Sequence, residues 1–172
     1  MDALEELVAR SKIQQLAVRY AFAVDGKDID TLATLYVDDI DYGVHGIGPE
    51  GVKRFFDAVL RGSLCSMHLI GNHLVEFDDD THAHGVLYCQ VHLHVREPDH
   101  WSETALAYFD RYERRGDEWL FADRRLARWY RQDFGHPDHG VEPQVPGPEW
   151  AAYRLPDVLG TVEPFLASAP LS

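Results

Sequence analysis

The sequence predicts an α+β fold: a cone-shaped α+β barrel in which three N-terminal helices pack on a strongly curved, mostly antiparallel sheet enclosing a cavity. Three observations predict it. Apolar residues recur at three-and-four spacing near the N-terminus, which is the helical period. From about residue 66 to 130 the chain runs in long segments rich in aromatic and β-branched residues, joined by short turns. Helices come first and strands follow, so the two kinds of element are segregated, as in α+β rather than α/β domains.

Each element has its own signal. Residues 3–24 place Leu7, Ile13, Leu16, Ala17, Tyr20 and Val24 on one helical stripe, and Asp25-Gly26 supplies a stop. Asp28, Ile29 and Asp30 lead into a short second helix over 31–36. Residues 38–45 alternate, with Ile40, Tyr42 and Val44 on one face, and are expected as a strand. Pro49 suits the first turn of a third helix carrying Val52, Phe55, Phe56, Val59 and Leu60. Four long strands follow, at about 66–77, 82–95, 101–114 and 118–130. Asp78-Asp79-Asp80, Glu97-Pro98-Asp99 and Arg115-Gly116-Asp117 are the turns between them.

These elements define a domain of residues 1–134 and a proline-rich C-terminal extension of residues 135–172. Seven of the nine prolines lie after Gly135, a density that opposes a long helix. Trp150, Tyr153, Leu155, Val158, Leu159 and Phe165 give the extension apolar anchors, so it is expected to pack on the domain or on a neighbouring subunit.

The 172 residues suit one domain, and an apolar fraction of 45% is that of a globular protein. Sixteen Lys+Arg against 29 Asp+Glu leave a formal net charge of −13. That charge repels nucleic acid and anionic membrane surfaces, and favours a small neutral or apolar partner. The N-terminus has no basic start followed by an apolar run, and no stretch approaches the roughly 20 apolar residues of a membrane span, so a cytoplasmic location is expected. Cys65 and Cys89 form no CxxC pair and fall in expected strands, where cysteine behaves as a small hydrophobe.

Two residues 43 positions apart, Asp25 in RYAFAVDG and His68 in CSMHLIGNHLVEF, stand out. An imidazole oriented by a carboxylate is a general base suited to neutral pH. Separately, each is an ordinary helix-end residue or core histidine. The segments SKIQQLAVRYAFAVDGKDIDTLATLYVDDIDY, SMHLIGNHLVEFDDDTHAHG and YERRGDEWLFADRRL, with the Gly51 helix between the first two, resemble the SnoaL-like family of the nuclear transport factor 2-like superfamily over about residues 5–132. That superfamily includes hexachlorocyclohexane dehydrochlorinase, scytalone dehydratase, bile acid 7-alpha-dehydratase, polyketide cyclases and the non-catalytic small subunits of ring-hydroxylating dioxygenases.

The resemblance implies a catalytic Asp25 and His68, with Tyr20 matching a tyrosine that the dehydratases place near that aspartate. It implies a substrate-binding His92 on the second long strand. Arginines crowd the last two strands, and the family pattern points to Arg125 and Arg128. Tyr42 is expected as an inward donor. Asn72, four residues beyond His68, falls on the same face if alternation is strict. His92 and His94 also have the spacing of two metal ligands on one strand face, but no HExxH or CxxC pattern accompanies them, and neither a metal nor another cofactor is expected.

The expected activity is a cofactor-independent lyase, of dehydratase or dehydrohalogenase type, acting on a small hydrophobic cyclic molecule. The alternatives are a ketosteroid-isomerase-like isomerase or polyketide cyclase, and a non-catalytic dioxygenase subunit or ligand-binding protein. Relatives imply a homo-oligomer, dimer or trimer.

Overall fold

In a computed structural model, described over residues 1–135 and 162–171, helix α1 spans Ala3–Asp25, α2 Ile29–Thr34 and α3 Gly48–Leu60. Strands β1 (Ser63–Phe77), β2 (His82–Val95), β3 (His100–Arg115) and β4 (Glu118–Phe134) follow, and α4 covers Val162–Ala167. Helix α1 opens with a reciprocal cap. Asp2 accepts from the Leu4 and Glu5 N–H groups, and Glu5 accepts from the Asp2 N–H. After Gly26 the chain turns through Lys27 at φ 53°, and Asp28 caps α2 by accepting from the Thr31 N–H.

The sheet is an antiparallel meander of order β1-β2-β3-β4. The expected cone-shaped barrel is therefore not formed. β1 and β4 are the sheet's two edges and do not pair with each other, so the sheet is open and is not curled into a closed wall. Four strands are too few to close a barrel around packed side chains. The helices instead cover one face, and the functional side chains lie between the helix layer and that face.

The strand expected over 38–45 is also absent. Gly43–His45 is a 3-10 turn, and Gly43, Gly46 and Gly48 all have positive φ, folding the chain back sharply. Only the isolated bridges Tyr36–Phe121 and Asp41–Ile47 remain. The supposed common face breaks up accordingly: Ile40 is buried, whereas Val44 is 99% exposed.

Ile13, Leu16 and Tyr20 of α1 and Val52 and Phe56 of α3 bury against Leu87, Leu106, Tyr112 and Phe121 of the sheet. On β2 the odd residues Ala83, Leu87, Cys89 and Val91 face this core, leaving the even histidines on the outer face. β1 changes parity midway. Ile70 pairs with Cys89 and His73 with Leu87, so Gly71 and Asn72 together oppose Tyr88. This bulge turns His68 and Ile70, then His73 and Val75, to the inner face. From the C-terminal extension, Phe165 lies under the Arg61 guanidinium, 4.9 Å from the ring centre, and Arg61 donates to the Ser168 and Ala169 carbonyls. The other expected anchors, Trp150, Tyr153, Leu155, Val158 and Leu159, lie outside the described residues.

Leu87 is fully buried at the centre of the sheet. Leu87→Ala is expected to destabilise by about 2–5 kcal/mol, and Val44→Ala by no more than about 0.5 kcal/mol. Urea denaturation midpoints with a common slope check both.

Candidate active site

Asp25 ends α1, and a carboxylate at a helix C-terminus is disfavoured by the backbone dipole. It is held there by β1. Oδ1 accepts from Ser66 Oγ at 2.7 Å, Oδ2 accepts from the His68 backbone N–H at 2.9 Å, and Oδ1 lies 2.6 Å from His68 Nδ1. Ser66 and His68 reach it because they are alternate residues on the inner face of one strand. An ionised carboxylate only accepts, so Nδ1 carries the proton and Nε2 of the neutral ring is left with its lone pair. The two side chains are 8% and 10% exposed, in the order His68 and Asp25. The arrangement is that of an oriented general base.

One turn and a half earlier on α1, Tyr20 packs edge-on against Phe56, Tyr108 and Phe121. Above its ring sits the Arg124 guanidinium, 4.2 Å from the Tyr20 centre, 4.1 Å from Tyr108 and 4.0 Å from Phe121. Arg124 donates Nε and Nη2 to the two oxygens of Asp110, at 2.8 and 2.7 Å. Burial works against the Arg124 charge, but Asp110 outweighs it and pushes the guanidinium further up from its ordinary range. Its Nη1 is buried and has no hydrogen-bond partner among the described residues.

Tyr20, under Arg124, and Asp25, against His68, are separated by a rise of about 7.5 Å along α1. Cys89 feels both charges. Burial pushes its thiol up to about 12, Arg124 pulling it down and Asp25 pushing it up.

Of the other expected site residues, Asn72, His92 and Arg125 lie on the outer face. Tyr42 is half-buried among Tyr36, Phe55 and Phe56, and burial pushes its hydroxyl up. The bulge carries Asn72 out of the His68 face, and it is exposed beside Leu69, Tyr88, Trp129 and Tyr130 in a groove of about 340 Å³ on the outer face. His92 pairs with Met67, one residue before His68, and so lies on the opposite face of the sheet from His68. Arg125 is exposed and paired with Asp123 at 2.8 Å. Arg128 lies opposite Leu106, on the same sheet face as His68, and is exposed. Among the described residues no three of His, Cys, Asp or Glu come together as a metal-binding group, and no helix is long and apolar enough to cross a membrane.

Arg124 and Asp110 are what sequence reasoning missed. A signal existed, because Asp110 falls on the same strand face as Leu106, Tyr108 and Tyr112, where a lone carboxylate requires a cation. Hairpin arithmetic from the Glu113–Leu120 pair assigns it Asp123, however. The extra residue Ala122 shifts the register and brings Arg124 opposite Asp110.

Residues 5–125 match the SnoaL-like domain family. An uncharacterized protein of Mycobacterium tuberculosis is 30% identical over 138 residues, covering 77% of this chain and 93% of its own. The gamma-hexachlorocyclohexane dehydrochlorinase of Sphingobium indicum is 28% identical over 135 residues, covering 76% of this chain and 86% of its own. The crystal structure of hexachlorocyclohexane dehydrochlorinase LinA-type3 from Novosphingobium barchaimii superposes with a TM-score of 0.72 at 25% identity, over 81% of this chain and 99% of that one.

With its thiol pushed up to about 12, Cys89 is expected to stay unreactive toward a disulfide reagent in the folded protein at pH 8 and to react on unfolding. Its contribution to stability is present below the unfolded thiol value of about 8.5 and is lost as pH rises toward the folded value. Thiol titration with and without denaturant, and denaturation of Cys89→Ala at pH 7 and pH 10, measure these effects.

Proposed function

The chain belongs to the SnoaL-like domain family, and on the geometry of its inner face we propose that it is a cofactor-independent lyase. One observation carries the reading: the 2.6 Å contact between His68 Nδ1 and Asp25, which leaves Nε2 as a base. Nε2 takes a proton from a ring carbon. The C–H electron pair becomes the new C=C π bond as the adjacent carbon–leaving-group bond breaks, and the leaving group departs with its own pair. Asp25 stabilises the imidazolium that forms. Arg124 Nη1, buried and unpartnered, meets the charge developing on the leaving group. Tyr20 lines the path between them and supports the guanidinium with its ring.

Cys89, Val91, Leu106 and Tyr108 on the inner face are apolar and buried, which favours a small hydrophobic ring as substrate. The leaving group is halide or water. The dehydrochlorinase relatives favour halide as the first probe. A base that only transfers a proton would make an isomerase or cyclase, and Arg124 favours elimination over that reading. A non-catalytic subunit has no need of an oriented base, and the Asp25 contact speaks against it.

Assembly as a homo-oligomer, dimer or trimer, uses the outer sheet face, where Met67, Leu69, Tyr88, Trp129 and Tyr130 are exposed.

The purified protein is expected to release chloride from gamma-hexachlorocyclohexane or to dehydrate small cyclic β-hydroxyketones. His68→Ala and Asp25→Asn should each lower that rate by about 10²–10⁴-fold without loss of folding. Ion chromatography and mass spectrometry of the product read it. Wild-type rates in both variants would sink the dyad. Light scattering should find two or three copies per particle, and Trp129→Glu should reduce this to one.

A further inference from the structure

A second hydrogen-bonded chain crosses all four strands of the inner face, and the elimination chemistry does not use its far end. On β4, Arg124 spends Nε and Nη2 on Asp110 of β3. Tyr112, two residues along β3 and fully buried, donates its hydroxyl to Asp110 Oδ2 at 2.9 Å. That commits the only phenolic proton. His73 Nε2 on β1, 3.0 Å from the Tyr112 oxygen, must then be the donor to it. The imidazole is thereby fixed as the Nε2–H tautomer, and burial, which pushes His73 down from its ordinary range, favours its neutral form.

Two local features exist to let this chain form. Tyr112 reaches from β3 toward β1 across Gly85 of β2, where a Cβ would stand 3.3 Å from Tyr112 Cε2 and 2.5 Å from the Leu74 carbonyl oxygen. His73 faces inward because the Gly71–Asn72 bulge shifts the parity of β1. Without the bulge, its side chain would point to the outer face.

The consequence lies at the other end. A guanidinium can present either its Nε–Nη2 edge or its Nη1–Nη2 edge to a carboxylate. Asp110 takes the first, and Tyr112 occupies a lone pair of Oδ2 that a pivoted arginine would need. His73 in turn holds the hydroxyl of Tyr112 in its donating direction. We propose that His73 is a positioning residue for Arg124: through Tyr112 and Asp110 it fixes which guanidinium nitrogen is offered to the substrate. The proposal rests on the lyase reading only where turnover is measured, since the orientation of Arg124 is observable without substrate.

The test compares wild-type protein with His73→Leu, Tyr112→Phe and His73→Gln, the last of which keeps an N–H donor near the position of Nε2. The first readout is hydrogen exchange of the Arg124 Nε–H with solvent, followed by nitrogen-15 NMR. The second is chloride release from gamma-hexachlorocyclohexane. In His73→Leu and Tyr112→Phe, exchange is expected to accelerate about tenfold or more and kcat to fall about 10- to 100-fold with KM within twofold, as for a small misplacement of a reacting group. His73→Gln should restore both values.

Exchange at the wild-type rate in His73→Leu would overturn the proposal, as would a His73→Gln protein that behaves like His73→Leu. If His73→Leu does not fold, Tyr112→Phe carries the same comparison. If wild-type protein neither releases chloride nor dehydrates small cyclic β-hydroxyketones, that result counts against the lyase reading, while the exchange measurement still decides the role of His73.

Discussion

The seam between α1 and β1 depends on one carboxylate. Asp25 sits where the helix dipole opposes a negative charge, and three hydrogen bonds from Ser66 and His68 make that position tenable. The same bonds fasten the helix layer to an edge strand of the sheet. They also choose the histidine tautomer, because a carboxylate can only accept. Anchoring the fold and orienting the base are thus a single interaction. Removing the carboxylate charge would weaken the seam and leave the ring nitrogen without an assigned role.

A second constraint is the burial of opposite charges in a protein whose net charge is −13. Most of that charge lies on the surface. Asp25, Lys27 and Asp57 are buried as well, and Asp110 and Arg124 form a buried ion pair with side chains 0% and 5% exposed. A buried pair of this kind rarely adds much to stability over well-packed apolar residues. What it supplies is a fixed cation at the end of an apolar floor. The three rings beneath the guanidinium tolerate the charge without consuming a hydrogen-bond donor, so the Nη1 amino group remains for a ligand.

Much of this was legible in the sequence, and the parts that were not share a cause. The period of α1 was readable from Ile13, Leu16 and Tyr20, and that of β2 from the alternation of its odd apolar residues, because both elements are regular. The order of helices and strands followed from the same patterns. Asn72 was assigned to the inner face by counting in twos from His68, and one extra residue at Gly71–Asn72 defeats that count. Arg125 was taken from the family pattern, which does not register the extra residue Ala122 that turns Arg124 inward. His92 was assigned by analogy to a strand whose face is set by the core beneath it. Barrel closure was not legible at all, since it depends on whether two edges 40 or more residues apart meet. The strand at 38–45 failed where three glycines with positive φ overrode an alternating pattern.

The bulges are therefore not irregularities on an otherwise repetitive sheet. With regular pairing, Asp110 would face Asp123 across the hairpin, two carboxylates in register, while Arg124 would point to the outer face. The extra residue Ala122 replaces that repulsion with a bidentate ion pair and turns a surface arginine into a buried one. With regular pairing on β1, residues 66, 68, 70 and 72 would all face inward and His73 outward. The bulge leaves the base in place and exchanges Asn72 for His73, the residue that completes the chain to Arg124. Each insertion acts at one place and redirects the side chains between it and the next register shift, so the two together set which polar groups meet on the inner face. The β1 insertion also changes the apolar pattern, because it turns Val75 into the core and leaves Leu74 exposed. Hydrophobic alternation brings the strands together, whereas the packing of Val75 and the polar groups of the site both require residues that break it.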